Sequence, residues 1–287
     1  MASMRDIKRR RSSIQSTQQI TKAMKLVSTV KLQKAKAHAE STEPYFNKMY
    51  NTVTSILARS GTINHPYLTG SKSDRIALVV ITSNRGLAGG YNSAVVKQVT
   101  AAADKLPKDK VDLYVVGSKG RDALSRLGYQ IKQDFCQIME APTYADAKTI
   151  CDVVLAEFEA GNIGEIQIVY THFKNTVSHE PKLMKLLPVE FEESEIANAD
   201  KNLVMNFEPH EEEALDLIIP KYVTSIFYGA LIEALASENG ARMQAMDSAT
   251  SNAEEMISDL SLKYNRARQG SITQELTEIV AGAEAIS

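Results

Sequence analysis

The stretch Ser83-Asn84-Arg85-Gly86-Leu87-Ala88-Gly89-Gly90 joins an apolar run to a helical one, and chemistry could sit there. A glycine-rich turn between strand and helix can cradle a phosphate on the free N–H groups of the helix that follows. This turn lacks the G-x-x-x-x-G-K-S/T spacing, with its phosphate-contacting lysine, and it is not G-x-G-x-x-G. Arg85, Gly86 and Gly89 are therefore expected to shape a structural turn of the body. Gly117-Ser118-Lys119-Gly120 is a weaker case of the same kind. The five histidines, at 38, 65, 172, 179 and 210, show no metal-ligand spacing. Cys136 and Cys151 form no CxxC pair, have no His beside them, and read as reduced thiols. No Ser-His-Asp or Cys-His set suggests itself. The expectation is a chain with no catalytic centre, cofactor or metal of its own.

Charge is distributed unevenly. The net charge is only −2, which excludes a molecule-wide electrostatic nucleic-acid binder. Residues 1–39 nevertheless hold ten Lys and Arg against one acid, Asp6, while residues 189–216 hold ten acids against one base, Lys201. The basic segment reads either as the solvated face of a helix or as a surface that attracts acidic partners. A transit peptide has a similar Arg- and Ser-rich composition, but the pattern here continues unbroken to Lys36. No run reaches the ~20 apolar residues of a membrane span, so the chain is expected not to cross one.

The elements that must carry these residues fall into three parts. Residues 1–43 contain no Gly or Pro, and Lys221–Ser287 contain no Pro and four Gly, so both ends read as long helices. Between them, Arg75–Thr82 and Val111–Val116 read as strands buried on both faces, with helices at about Asn92–Lys105, Ser118–Leu127 and Thr143–Glu159. Glu165–Thr171 and Lys182–Val189 complete a parallel or mostly parallel α/β body. Pro44 and Pro220 are expected to kink or distort the arms. Gly61, Asn64 and Gly70 mark a loop after the first arm, and Pro209 opens the second.

In the first arm Ile7, Ile14, Ile20, Met24 and Val27 suggest one apolar stripe. In the second, Leu215, Ile218, Ile219, Tyr222, Ile226 and Ala230, then Met243, Met246, Ala249, Ala253, Met256, Leu260 and Tyr264, do the same. Two such arms leaving one body should pair antiparallel. Setting residue 58 opposite 209 places Met24 near Met243 and beside Arg242, and residue 1 near 266. About 20 residues of the second arm, ~30 Å, then lack a partner. An isolated helix bearing Ile272, Leu276, Ile279 and Val280 is marginal in water, so it should lie inside another protein.

Five stretches carry a resemblance. They are Ile20-Thr21-Lys22-Ala23-Met24-Lys25-Leu26-Val27-Ser28; Ser83 to Asn92, with Asn84 where Asp is usual; Ala241-Arg242-Met243-Gln244-Ala245-Met246 continuing to Ala253; Tyr264 to Gln269; and Ile272 to Ala283. In this order, over the whole length, they resemble the gamma subunits of F-type ATP synthases. The resemblance implies an α/β fold class: a long antiparallel coiled coil of N- and C-terminal helices, 1–60 and 209–287, with a central Rossmann-like α/β domain over 74–190. It implies a rotor shaft inside a ring of alpha and beta subunits, a body bound to the epsilon subunit and the membrane c-ring, and a non-catalytic role. It implies a peripheral location on the cytoplasmic side of a bacterial plasma membrane. Lys22, Met24, Lys25, Arg242 and Met243 fall where the family tunes coupling, and Arg268, Gln269 and Thr273 where it meets a beta-subunit loop.

Two other readings compete. A nucleotide-binding enzyme with a coiled-coil arm needs a phosphate-contacting lysine that the glycine-rich turn does not have. A DNA-binding zipper separates its basic region from its seam, whereas here the stripe runs through the basic segment itself.

Overall fold

A computed structural model describes residues 3–60, 65–71, 73–104, 106–176, 178–190 and 211–284. The expected stop at Gly61, Asn64 and the opening Pro209 lie outside the described residues. The chain divides into two compact units, Thr29–Ala241 and the paired segments Met1–Ser28 and Arg242–Ser287. Two long helices contribute to both: α1 is Met4–Ser60 and α6 is Glu211–Glu284.

Within Thr29–Ala241, runs rich in Val, Ile and Leu form strands β1 (Ile76–Ile81), β2 (Val111–Val116) and β4 (Glu165–Phe173). β-branched side chains fit a pleated surface covered on both sides. The short β3 (Ile131–Asp134) and β5 (His179–Leu187) complete the order β3-β2-β1-β4-β5. The β1–β2, β2–β3 and β1–β4 pairs are parallel, and β4–β5 is antiparallel. β3 escapes sequence reading because Ile-Lys-Gln-Asp carries one partly buried apolar residue and three exposed polar ones.

Alternate strand residues feed two cores. Leu78, Val80, Leu113 and Val115 meet Val95 and Val99 of α3 (Tyr91–Ala103) and Leu124 of α4 (Ser118–Arg126). Val79, Ile81, Tyr114 and Ile168 belong to the opposite core, with Ile150, Val154 and Phe158 of α5 (Tyr144–Glu159). Val53 and Ile56 of α1 and Ile219, Phe227 and Leu231 of α6 share that second core. Each such side chain, fully buried, contributes about 1.5–3 kcal/mol relative to exposure. α5 begins with a capping box, in which Asp146 N–H donates to Thr143 Oγ1 at 3.2 Å and Thr143 N–H to Asp146 Oδ2 at 2.9 Å. The expected loop at His65–Gly70 contains one helical turn, α2 (Pro66–Thr69), with His65 as its N-cap.

Both long helices run unbroken through their prolines. A proline removes one N–H and the bond it would make to the carbonyl four residues back. Burial of Val53 and Ile56 after Pro44, and of Leu215, Ile219 and Tyr222 around Pro220, holds the flanking turns in helical geometry. Part of α6 is long and apolar enough to cross a membrane by composition, but 61% of that stretch is buried within the protein. It passes that test as a core helix does.

Candidate functional site in the terminal helix pair

In the unit formed by the chain's two ends, α1 and α6 run antiparallel. Arg11 lies 5.6 Å from the Tyr264 ring centre. Gln18 Nε2 donates to Glu254 Oε1 at 3.0 Å, the Thr21 and Thr250 hydroxyls are 2.8 Å apart, and Lys25 Nζ meets Asp247 Oδ1 at 2.6 Å. Residues shielded from solvent recur at alternating steps of three and four, Met4, Ile7, Arg11, Ile14, Gln18, Thr21, Lys25 and Ser28 on α1, with Met24 half-buried beside Lys25. On α6 the same alternation runs through Met246, Thr250, Ala253, Ile257, Leu260, Tyr264, Ala267 and Ser271, with Arg242 buried one turn before it. That alternation is the seam of a coiled coil.

This seam corrects the expected stripe. Ile20 and Val27 are 60% and 57% exposed and point away from α6, while Thr21 and Ser28 are buried. Met256 is exposed as well. The seam accepts hydroxyls because each can satisfy itself locally: Thr21 Oγ1 donates to the Gln18 carbonyl at 3.0 Å and Thr250 Oγ1 to that of Met246 at 2.7 Å. α1 therefore carries a second, exposed apolar face in Ile20, Leu26 and Val27.

The register also differs from the sequence count by about one turn. The Thr21–Thr250 and Lys25–Asp247 contacts set Met24 against 247–250 rather than Met243. The pairing consequently reaches further along α6, and the stretch exposed at every residue is Ile272–Ala283, shorter than expected.

The candidate coupling residues fall on three surfaces. Lys22 is exposed, Met24 is half-buried, and Lys25 is engaged with Asp247. Arg242 is buried and Met243 half-buried on one turn of α6. Arg268, Gln269 and Thr273 are exposed towards the far end, with Thr273 Oγ1 donating to the Gln269 carbonyl at 2.9 Å. Sequence reading missed Asp247, Glu254 and the two threonines. The signal that could have found them is the three-four spacing of Gln18, Thr21, Lys25 and Ser28, which is visible once polar residues are admitted to the seam.

In the other unit, at the second turn from Gly117 to Gly120, the first amides of α4 are taken up by the residues that open the glycine-rich turn. Ser118 N–H donates to Asn84 Oδ1 at 2.9 Å, Lys119 N–H to the Ser83 carbonyl at 3.1 Å, and Gly120 N–H to Thr82 Oγ1 at 2.9 Å. Three successive helix-start donors are thus answered by three successive residues after β1. Within the turn, Arg85 pairs with Glu140 at 3.0 Å, Gly86 faces open space, and Gly89 has φ +56°. Among the described residues no group of three or more His, Cys, Asp or Glu could hold a metal ion.

A protein-family model described as ATP synthase matches residues 3–286. An ATP synthase gamma chain from Lachnoclostridium phytofermentans is 63% identical over 294 aligned residues, covering 100% of both chains. The chain belongs to the ATP synthase gamma-chain family. The gamma chain of Alkaliphilus metalliredigens is 44% identical, covering 99% of this chain and 98% of that one. Among solved structures, a chain of the central stalk and c-ring of the Tetrahymena thermophila mitochondrial ATP synthase is similar at 28% identity and a TM-score of 0.59, covering 80% of this chain and 99% of that one. A chain of the Euglena gracilis mitochondrial enzyme shares the fold at 19% identity and a TM-score of 0.71, covering 99% of this chain and 94% of that one. As a gamma chain, the protein is the non-catalytic central-stalk rotor subunit that couples rotation to catalysis in F1Fo ATP synthase.

Proposed function

We propose that the terminal helix pair turns inside a ring of three alpha and three beta subunits, with the unpaired end of α6 enclosed by it. The observation that carries this reading is the exposed run Ile272, Leu276, Ile279 and Val280, each 48–68% exposed on a helix that α1 no longer covers. Apolar side chains on a lone helix gain stability only when another protein buries them. The basic Lys22, Lys25 and Arg242 are attracted to acidic loops of the beta subunits, and Met24 and Met243 lie in the same coupling region. Such contacts suit a rotor, since charge attraction acts at range without a locked geometry. Arg268, Gln269 and Thr273 engage a beta-subunit loop, Arg268 through the two-pronged geometry of its guanidinium.

The functional division is a first arm over 1–60, a body over 74–190 and a second arm over 209–287. The body is Rossmann-like, a reading supported by its strand order and three parallel pairings. It binds the epsilon subunit and rests on the c-ring, which places the chain peripherally on the cytoplasmic face of a bacterial plasma membrane. The similarity to a chain described with its central stalk and c-ring supports this arrangement. Arg85, Gly86 and Gly89 serve the body as a structural turn.

Co-expression with the alpha and beta subunits and purification through a tagged beta subunit tests the proposal. It requires one copy of this chain per three alpha and three beta subunits. Recovery of an alpha–beta assembly without the chain, and of the chain alone, would contradict it.

A further inference from the structure

In open α/β sheets the crevice beyond the carboxyl ends of the strands, where successive connections leave to opposite sides, is where ligands settle. Here that place lies between β1 and β4, neighbours whose connections lead to opposite edges of the sheet. It is filled by the protein's own helix. Tyr91, the first residue of α3, donates its hydroxyl to the Ala234 carbonyl of α6 at 3.2 Å. Ser237 Oγ donates to the Thr171 carbonyl at the end of β4 at 3.1 Å. Next to Thr171, His172 Nδ1 lies 2.7 Å from Glu233 Oε2. Tyr91, Ala234, Ser237 and Thr171 are all buried.

We infer that Tyr91, Ser237 and the His172–Glu233 pair are positioning residues for rotary coupling, clamping one turn of α6 into the β1/β4 crevice so that a twisting load on the helix is held by the body. The inference rests on the family's rotor role and is independent of which subunits surround the terminal helix pair.

The physical ground is directionality. Above this turn α6 packs on the sheet through Ile219, Val223, Phe227 and Leu231. Apolar contact is non-directional, so a helix can roll or slide while exchanging one such contact for another. Hydrogen bonds weaken steeply once distance and angle depart from their narrow range. The bonds at 233, 234 and 237 fix both rotation and translation of this turn, and burial keeps water from substituting for those at 234 and 237. Gly240 adds a steric key one turn further on. A Cβ there would sit 2.7 Å from the His179 ring, so the hairpin between β4 and β5 presses directly on the α6 backbone.

The test uses the complete F-type complex in inverted membrane vesicles, with ATP hydrolysis and ATP-driven ion uptake measured on the same preparation. Tyr91→Phe and Ser237→Ala are made singly and together, with Ser237→Thr as the variant that keeps a hydroxyl. The expected result is a loss of ion uptake per ATP hydrolysed in the double variant, a smaller loss in each single variant, and recovery in Ser237→Thr. A purely structural role would lower the amount of assembled complex and leave uptake per ATP unchanged, and that result would overturn the inference. If the double variant does not assemble, Tyr91→Phe, which removes one oxygen and keeps the packed ring, decides by the same ratio.

Discussion

Thr21 Oγ1 and Thr250 Oγ1 lie 2.8 Å apart, both buried, at the seam of the terminal helix pair. Three hydrogen bonds meet there, because each hydroxyl also approaches a carbonyl of its own helix. Two hydroxyl protons serve the three, so at any moment one contact lacks a hydrogen. A polar pair at one level of a coiled coil favours this register, since a shift of one turn would set each hydroxyl, still bonded to its own helix, away from the other.

The first prediction follows from that arithmetic. Changing both Thr21 and Thr250 to Val keeps the shapes and removes every group needing a partner. The double variant should unfold at the same or a slightly higher urea concentration, a gain of up to roughly 1 kcal/mol. Thr21→Val alone, which leaves the Thr250 hydroxyl its own Met246 carbonyl, should change stability by less than about 1 kcal/mol. Far-UV circular dichroism follows both. A strongly destabilised double-Val variant would show the threonine pair to be a net stabiliser.

The second prediction concerns the turns of the body. At Gly117, with φ +102°, an added Cβ would lie 2.1 Å from the Thr82 carbonyl oxygen, and at Gly120 it would lie 2.6 Å from Thr82 Oγ1. Gly86 faces open space. Gly117→Ala should therefore cost on the order of 3 kcal/mol or more, and Gly86→Ala no more than about 0.5 kcal/mol. Urea unfolding of the three proteins compares them directly.

How much of this was legible in the sequence depends on the kind of pattern involved. β1 and β2 were readable because runs such as Ala77–Ile81 are apolar on both faces, and the long helices because breakers are absent from their ends. The seam was not readable from apolar periodicity, since α1 has two candidate faces. Ile20 and Val27 form the more apolar one, yet Thr21 and Ser28 are buried. Burying a hydroxyl is tolerable when its own helix offers a carbonyl, and no hydrophobicity count registers that. The register error of one turn followed from anchoring the count at residue 209 rather than at a contact. The filled crevice was illegible because Tyr91, Thr171 and Ser237 are far apart in sequence and individually ordinary.

The third prediction separates the two thiols. Burial pushes the Cys151 thiol up to about 12, outweighing the opposing hydrogen bond from Thr224. Cys136 is half-buried, and its thiol is raised chiefly by burial and then by Asp134. Thiolate is the reactive form. At pH 8, about half a unit below an ordinary thiol, iodoacetamide should label Cys136 slowly and Cys151 only after unfolding. Mass spectrometry of the peptides reads the order. Equal labelling of the two in the folded chain would contradict the burial of α5 against the sheet.

The fourth prediction is a pH dependence. Both ring nitrogens of His179 are buried without a hydrogen-bond partner among the described residues. Burial holds this imidazole below its ordinary value of 6.5. The unfolded chain therefore takes up the proton first. The stability that neutral His179 contributes is complete above pH 6.5 and is lost as pH falls towards the folded value. His179→Gln should flatten the slope of stability against pH in that acid window. An unchanged slope would assign the dependence to other groups.

The most direct measurement of the central claim is amide hydrogen exchange over Ile272–Ala283, first in the purified chain and then in the assembled alpha–beta complex. The account predicts rapid exchange in the isolated chain, slower exchange over Arg242–Leu260 where α1 covers the helix, and strong protection of Ile272–Ala283 on assembly. Equal, rapid exchange of Ile272–Ala283 in both states would contradict it, because the end of α6 would then lie in water rather than within a ring.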